Sequence, residues 1–176
     1  MTHYTFPDTF RSLYDHAVAA YASGKRGADT FFDAGQTAWL AANGITAQHL
    51  YDYAEDHNNY DGEPGHDHAL TIETIRRDYF LNVQKGVAST VVANPDTWPA
   101  KDAEIDGIGW LPRILPKVRA KLRGELPAGM MYGCGGDRKF FKAHDILPAE
   151  FLALAWRAAD DDRLIIDWVK ARSAQA

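Results

Sequence analysis

The sequence predicts an all-α fold: a compact bundle of about seven to nine helices in two packed halves. Two observations predict it. Apolar residues recur at three- and four-residue spacing along most of the 176 residues, which is the period of a helix with one buried face. The run 87–93 contains β-branched residues, but it has no evident partner strand, so the helical pattern determines the predicted fold class.

Four helices are expected in the first half of the chain. The first begins near Pro7, and Gly24 ends it because glycine readily adopts the left-handed conformation of a helix C-terminus. The second covers about 33–42, and the side chain of Thr46 caps the third. The fourth and longest runs from about Asp67 to Gln84. Its core-facing stripe is expected to consist of Ile72, Ile75, Tyr79 and Val83.

The second half is expected to contain shorter helices. Pro116 lacks an N–H and would clash inside a helix, so the first regular helix there is expected to span about 115–124. Asp137 is expected to cap a short helix, and Pro148 lies near the start of another. The acidic run 160–162 is expected to cap the last helix.

Charge and composition define the predicted organisation. Residues 1–90 form an acidic N-terminal helical half, 91–108 an irregular connection, and 109–176 a C-terminal helical half with a basic strip. The net charge of −5 is a sum that conceals this division, since residues 113–142 carry eight Lys or Arg against two acidic residues. Opposite charges predict an anion site where the halves meet.

Several classes of protein are excluded by the same composition. The negative total charge and the lack of a recognisable binding motif argue against nucleic acid as a partner. No apolar run approaches the roughly 20 residues of a membrane span, and the N-terminus lacks a secretory signal. One cysteine, Cys134, excludes an internal disulfide and fits a reducing compartment. We therefore expect a soluble cytoplasmic protein without a membrane partner.

The fourth helix supplies the first set of candidate site residues. Its residues 76–79 are separated by about 100° each around the helix axis, so they cannot all face water while the helix buries one face. Arg77 and His57 are candidates for binding an anionic substrate, with Asp78 and Tyr79 as catalytic groups. The alternative is a structural ion-pair network between the arginines and acidic residues 55–56.

The second set lies in the basic half. Arg113 and Lys117 are candidates for binding the substrate, and Cys134 is a candidate nucleophile with His144 as its base. A thiol beside basic residues at a helix N-terminus favours its reactive thiolate form. The alternatives are basic side chains that solvate the outside of a helix and a cysteine that is a small buried apolar residue.

A metal site is a further alternative. His57, His66 and His68 lie close together in the sequence among several carboxylates, and imidazole with carboxylate suits zinc, iron or manganese. The stretch leads into a helix, where residues two apart point in different directions. No nucleotide-binding or redox-cofactor motif is present, so the cofactor is left open and no metal ligands are assigned.

The second half also resembles a known family. The residues that carry the resemblance are Leu111-Pro112-Arg113-Ile114-Leu115-Pro116-Lys117-Val118-Arg119-Ala120, Gly124, Cys134, Asp137, Phe140-Phe141, Asp160-Asp161-Asp162 and Trp168. Their order is similar to that of a bacterial family, domain of unknown function 5069, over residues 106–172. The stretch 76–80 is similar to an extension that some members carry. The resemblance implies a compact helical bacterial protein and supplies no reaction.

Two functions of different class follow. One is an enzyme or binding protein for a small anionic metabolite at the interface of the two halves, of lyase or hydrolase type if it is catalytic. The other is a non-catalytic interaction or scaffold protein whose charges are structural, with a homodimer as one arrangement. Whether the chain is an enzyme at all is left open by the sequence.

Overall fold

Helices dominate the computed structural model, which describes residues 3–174. Eight α-helices are present in this part of the chain, together with a two-stranded antiparallel pair, β1 (Glu104–Ile105) and β2 (Ile108–Gly109). The helices are α1 (Phe6–Ala22), α2 (Ala34–Ala42), α3 (Ala47–Asn59), α4 (His66–Asn82), α5 (Leu111–Arg123), α6 (Gly135–Ala143), α7 (Pro148–Ala158) and α8 (Asp162–Ser173). The predicted all-α fold is confirmed.

The chain divides into two compact units, Met1–Gly86 and Val87–Ala176, which we call unit 1 and unit 2. None of the described helices combines the length and the apolar character needed to cross a membrane.

Unit 1 is built on α1, which packs against α3 and α4. Phe10 and Leu50 are fully buried where these helices meet. Local capping fixes where the helices begin. Asp33 Oδ1 accepts a hydrogen bond from the Gln36 N–H at 2.8 Å, and Thr46 caps α3 as predicted.

The buried face of α4 differs from the predicted stripe. Ile72 is buried as expected, but Ile75 and Tyr79 are only half-buried, and Val83 lies beyond the helix with its side chain exposed. The prediction that these three residues face the core is therefore wrong. Charged and polar residues can replace apolar ones in a core when the fold supplies partners for them. The buried residues of α4 are Ala69, Ile72, Glu73, Arg76, Arg77 and Phe80.

Unit 2 is built on α5, which packs against α7 and β1, while α7 also packs against α8. The predicted start of α5 at Leu115 is wrong, because the helix begins at Leu111 and contains Pro116. An interior proline costs about 3 kcal/mol. Leu111 and Ile114 are completely buried, and each contributes about 1.5–3 kcal/mol by leaving water. Their burial outweighs the proline.

The helix starts of unit 2 are partly as predicted. Asp161 caps α8, since its Oδ1 accepts a hydrogen bond from the Leu164 N–H at 3.1 Å. The predicted cap at Asp137 is wrong. Helix α6 begins earlier, with Cys134 as its N-cap residue, and Asp137 lies in its first turn with a fully buried side chain. Its carboxylate is used for long-range contacts instead.

Candidate thiol site

A buried ion pair joins α5 to α6 in unit 2. Lys117 Nζ lies 2.7 Å from Asp137 Oδ2, and the two side chains are 5% and 0% exposed. Removing both charges from water is costly, and their attraction compensates only when the geometry and the remaining hydrogen bonds are good. A pair buried this deeply therefore needs further partners.

Two neutral donors complete the surroundings of the Asp137 carboxylate. The Gly133 N–H donates to Oδ2 at 2.9 Å, and the Trp110 indole Nε1–H donates to Oδ1 at 3.0 Å. With Lys117, the carboxylate accepts three hydrogen bonds, one of them charge-assisted. This set of donors fixes the carboxylate, and the carboxylate in turn fixes the Lys117 ammonium.

The thiol of Cys134 lies against this ion pair. Lys117 Nζ is 3.2 Å from Cys134 Sγ, and Cys134 is only half-buried. As the N-cap residue of the nine-residue α6, it also lies at the positive end of the helix dipole. Nucleophilic cysteines occur in such surroundings, beside a basic side chain and at a helix N-terminus.

The backbone around the thiol is tightly constrained. Trp110 has a left-handed backbone with φ 67°, a conformation that costs a bulky residue about 1–3 kcal/mol. Its ring lies so close to Gly136 that a Cβ there would come within 2.6 Å of it. Arg138 Nη1 donates to the Gly133 carbonyl at 2.7 Å and holds the loop before α6.

A buried tyrosine, Tyr132, lies near the Asp137 carboxylate. The Tyr132 hydroxyl donates to the Pro148 carbonyl at 2.7 Å. Burial, and then the nearby charge of Asp137, raises the pKa of Tyr132 well above its ordinary value. Tyr132 therefore stays neutral and serves as a packed anchor.

Residues 99–176 match the family model described as Domain of unknown function (DUF5069). The predicted resemblance over residues 106–172 is confirmed, and the match covers all the residues of the cluster around Cys134. No curated protein and no solved structure gives a significant match to the chain. We call residues 99–176 the DUF5069 region.

Two basic residues of α5, Arg113 and Arg119, contact other groups of unit 2. Arg113 Nη1 donates to the Pro99 carbonyl at 2.8 Å, and its guanidinium lies over the Trp98 ring. Arg119 pairs with Asp162 at 2.6 Å. The predicted substrate-binding role of Arg113 therefore competes with an existing contact, whereas Lys117 lies directly at the thiol.

His144 is excluded as a base for Cys134. It follows the last residue of α6, whereas Cys134 precedes the first, and a nine-residue helix is about 13 Å long. Its Nδ1 lies 2.6 Å from the Ser173 hydroxyl, and its ring packs on Phe140. The expectation of a Cys134–His144 pair is wrong because the helix separates its two members.

The candidate residues of α4 lie in unit 1 and point in different directions. Arg77 is buried, with its Nε–H donating to Asn43 Oδ1 at 2.6 Å and its guanidinium over the Phe6 ring. Burial lowers the pKa of Arg77 below its ordinary value. Asp78 is exposed and accepts a hydrogen bond from Asn82, and Tyr79 is half-buried. The catalytic roles of Asp78 and Tyr79 stay predictions.

His57 contacts a tyrosine in unit 1. Its Nδ1 lies 3.1 Å from the Tyr14 hydroxyl, which donates its own proton to the Pro64 carbonyl at 2.6 Å. Burial, and then the charge of Asp15, raises the pKa of Tyr14 to about 12. The hydroxyl therefore stays protonated, and His57 donates to it. The substrate-binding role of His57 stays a prediction.

Two of the three histidines proposed for a metal site, His57 and His66, pack edge-on against the Tyr14 ring. The Nδ1 of His66 lies 2.8 Å from Asp67 Oδ1, and His68 is exposed. Within residues 3–174, no three His, Cys, Asp or Glu side chains are grouped so that they could hold a metal ion. The metal alternative therefore gains no support from the geometry.

Two residues of the thiol site were missed as functional residues at the sequence level. The sequence predicts only a capping role for Asp137, and tryptophans such as Trp110 are most simply interpreted as core anchors. A usable signal was present, because Lys117 falls on the apolar face of α5 between Ile114 and Val118. A lysine there needs a buried carboxylate, and Asp137 is the only acidic residue between Glu125 and Asp145.

Proposed function

We propose that the DUF5069 region is a cysteine-dependent enzyme of lyase or hydrolase type that acts on a small anionic metabolite. Cys134 is the nucleophile of this reaction. The observation that carries the proposal is the 3.2 Å contact between Lys117 Nζ and Cys134 Sγ, made by a lysine that a buried carboxylate holds in place. The proposal uses residues of unit 2 alone.

Each residue has a distinct role in the proposed reaction. The Lys117 ammonium stabilises the thiolate before attack. After attack the negative charge moves from sulfur to the substrate, and a fixed ammonium beside the reacting atoms stabilises that charge as well. Asp137 acts as a positioning residue, because it touches Lys117 and not the thiol.

An anionic substrate is supported by the helix that Cys134 caps. The first N–H groups of α6 lack partners within the helix, and together with the helix dipole they favour a carboxylate or phosphate group nearby. A substrate held there would present its electrophilic carbon to a thiolate at the same helix end. Lyase and hydrolase reactions fit because they need neither a hydride nor an electron carrier.

The test is turnover of a panel of small carboxylate- and phosphate-bearing esters and thioesters by the full chain. We expect turnover by the wild type and none by Cys134→Ser, with Lys117→Met strongly impaired. Lys139→Gln removes an exposed lysine from the same helix and is the matched control, with wild-type turnover. Equal turnover by Cys134→Ser and the wild type would overturn the proposal.

A non-catalytic interaction function is the second candidate, favoured by one surface feature. Val87, Val91 and Val92 are 69%, 59% and 69% exposed in a segment without regular secondary structure. Glu125 holds this segment, since its carbonyl accepts from the Ala93 N–H and its carboxylate from Ser89. If the valines mediate self-association, Val91→Ser with Val92→Ser will abolish a concentration-dependent dimer in sedimentation experiments. A monomeric wild type at all concentrations would remove this candidate.

A further inference from the structure

The contact between Lys117 and Cys134 also makes a covalent reaction possible within the chain. We propose that a peroxide oxidises Cys134 and that the sulfur then forms a reversible N–S bond with Lys117 Nζ. This modification would occur whether or not Cys134 catalyses a reaction, so it can fail or succeed independently of the proposed enzyme.

The geometry places one amine in the position to react. Lys117 Nζ lies 3.2 Å from Sγ, and the ion pair with Asp137 keeps it there. The chain has a single cysteine, so an oxidised sulfur has no second thiol within the molecule. A sulfenic acid condenses with a thiol or with a backbone nitrogen, and here the nitrogen in contact with the sulfur is the amine of Lys117. Cys134 is only half-buried, and exposure of this kind favours oxidation of a cysteine by a small oxidant.

The chemistry balances in two steps. In the first, the Cys134 thiolate attacks one oxygen of hydrogen peroxide, the O–O bond breaks and hydroxide leaves. The sulfur loses two electrons and becomes a sulfenic acid, and the peroxide is reduced to water once hydroxide takes a proton from the Lys117 ammonium. In the second step, the neutral amine attacks the sulfur, the S–O bond breaks and the departing oxygen leaves as water with a proton from nitrogen.

The cross-link would switch the thiol site off. It removes the nucleophile and the ammonium together, and it ties α5 covalently to the N-terminus of α6. A thiol reductant restores both groups: it attacks the sulfur, the S–N bond breaks and the amine leaves with a proton. A second thiol then releases Cys134 from the resulting mixed disulfide.

The test is mass spectrometry of the full chain after treatment with about one equivalent of hydrogen peroxide. We expect the intact protein to lose the mass of two hydrogen atoms and to regain it with dithiothreitol. Peptide mapping should join the peptide containing Lys117 to the peptide containing Cys134. A wild type that instead retains added oxygen would overturn the proposal, as would a cross-link to another lysine or to a backbone nitrogen.

Two variants separate the cross-link from a failure to fold. Lys117→Arg keeps the positive charge beside Asp137 but replaces the amine with a poorly nucleophilic guanidinium. We expect this variant to retain added oxygen on Cys134 and to form no cross-link. Lys139→Arg changes an exposed lysine of α6 in the same way and should form the cross-link as the wild type does. Loss of the cross-link in Lys139→Arg would contradict the assignment to Lys117.

Discussion

Both units bury charged side chains, but they do so in different ways. In unit 1 three of the buried charged residues, Glu73, Arg76 and Arg77, lie on one helix, α4, and the Glu73 carboxylate accepts a hydrogen bond from the Tyr53 hydroxyl at 2.8 Å. In unit 2 the lysine and the carboxylate come from two helices, and a half-buried thiol touches the lysine. Unit 1 contains no cysteine.

This difference separates a structural network from a candidate site. A buried charge alone shows only that partners are present. In unit 2 a buried ion pair lies beside a thiol at a helix N-terminus, and the Trp110 indole donates to the carboxylate of that pair. We therefore expect changes in unit 1 to affect stability alone and changes around Asp137 to affect both stability and thiol reactivity.

The largest effect is expected for Asp137→Asn. This variant leaves the Lys117 ammonium buried without its carboxylate, which typically costs about 3–5 kcal/mol of unfolding free energy. Urea denaturation measures the loss. Asp167→Asn is the control, because the pair of Asp167 with Arg163 is more than half exposed, and exposed ion pairs contribute little to stability. Equal losses in both variants would show that burial of the pair has no special role.

A smaller loss is expected for Tyr53→Phe in unit 1. The variant removes a donor from the buried Glu73 carboxylate, and a hydrogen bond to a charged group is worth about 1.5–3 kcal/mol. The rate at which iodoacetamide alkylates Cys134 in the folded protein should not change. Tyr4→Phe, at an exposed position, should change neither quantity. A slower alkylation in Tyr53→Phe would contradict the separation of the two networks.

Gly136→Ala tests the packing beside the thiol. A Cβ at this position would lie 2.6 Å from the Trp110 ring, and overpacking of this kind costs about 1–3 kcal/mol. Gly135→Ala is the matched control, because its Cβ would meet nothing nearer than 3.9 Å. Thermal unfolding should rank the control above Gly136→Ala. The reverse order would show that the ring moves away without cost.

The smallest effect is a pH dependence of stability at His144. Burial lowers the pKa of His144 below its ordinary value, so the unfolded chain binds this proton first as the pH falls. The stability that neutral His144 contributes is therefore fully present above the pKa of histidine in the unfolded chain, about 6.5. It is lost as the pH falls through the lower pKa of His144 in the folded protein. Urea midpoints at neutral and acidic pH should show a weaker decrease in His144→Gln. The exposed variant His68→Gln should keep the wild-type decrease, and equal behaviour of both variants would contradict this cause.

The sequence predicts local features of this fold well. The caps at Thr46 and Asp161 depend on a side chain and a backbone N–H three residues later, so spacing alone reveals them. The buried face of α4 and the start of α5 depend on tertiary partners and packing. Hydropathy places Ile75 in the core. The fold instead buries Arg76, whose guanidinium lies over the Phe80 ring.

The sequence predicts two residues of the candidate site, Lys117 and Cys134, but not the contact between them. Lys117 and Cys134 were each recognised by residue type and by the basic surroundings, but no local rule joins residues 17 positions apart across a loop. Asp137 was assigned to capping because an acidic residue near a helix start satisfies that rule equally well. The contact that defines the site needed the three-dimensional arrangement of α5 and α6.

The most direct test of the thiol site is the alkylation rate of Cys134 by iodoacetamide at neutral pH. The attraction between the ammonium and a negative sulfur 3.2 Å away is worth about 1.3 kcal/mol even at the dielectric constant of water, so we expect alkylation of Lys117→Met to be about tenfold slower. Circular dichroism checks that the variant is folded, and Lys139→Gln should match the wild type. Equal rates in folded Lys117→Met and the wild type would contradict the central claim that Lys117 activates Cys134.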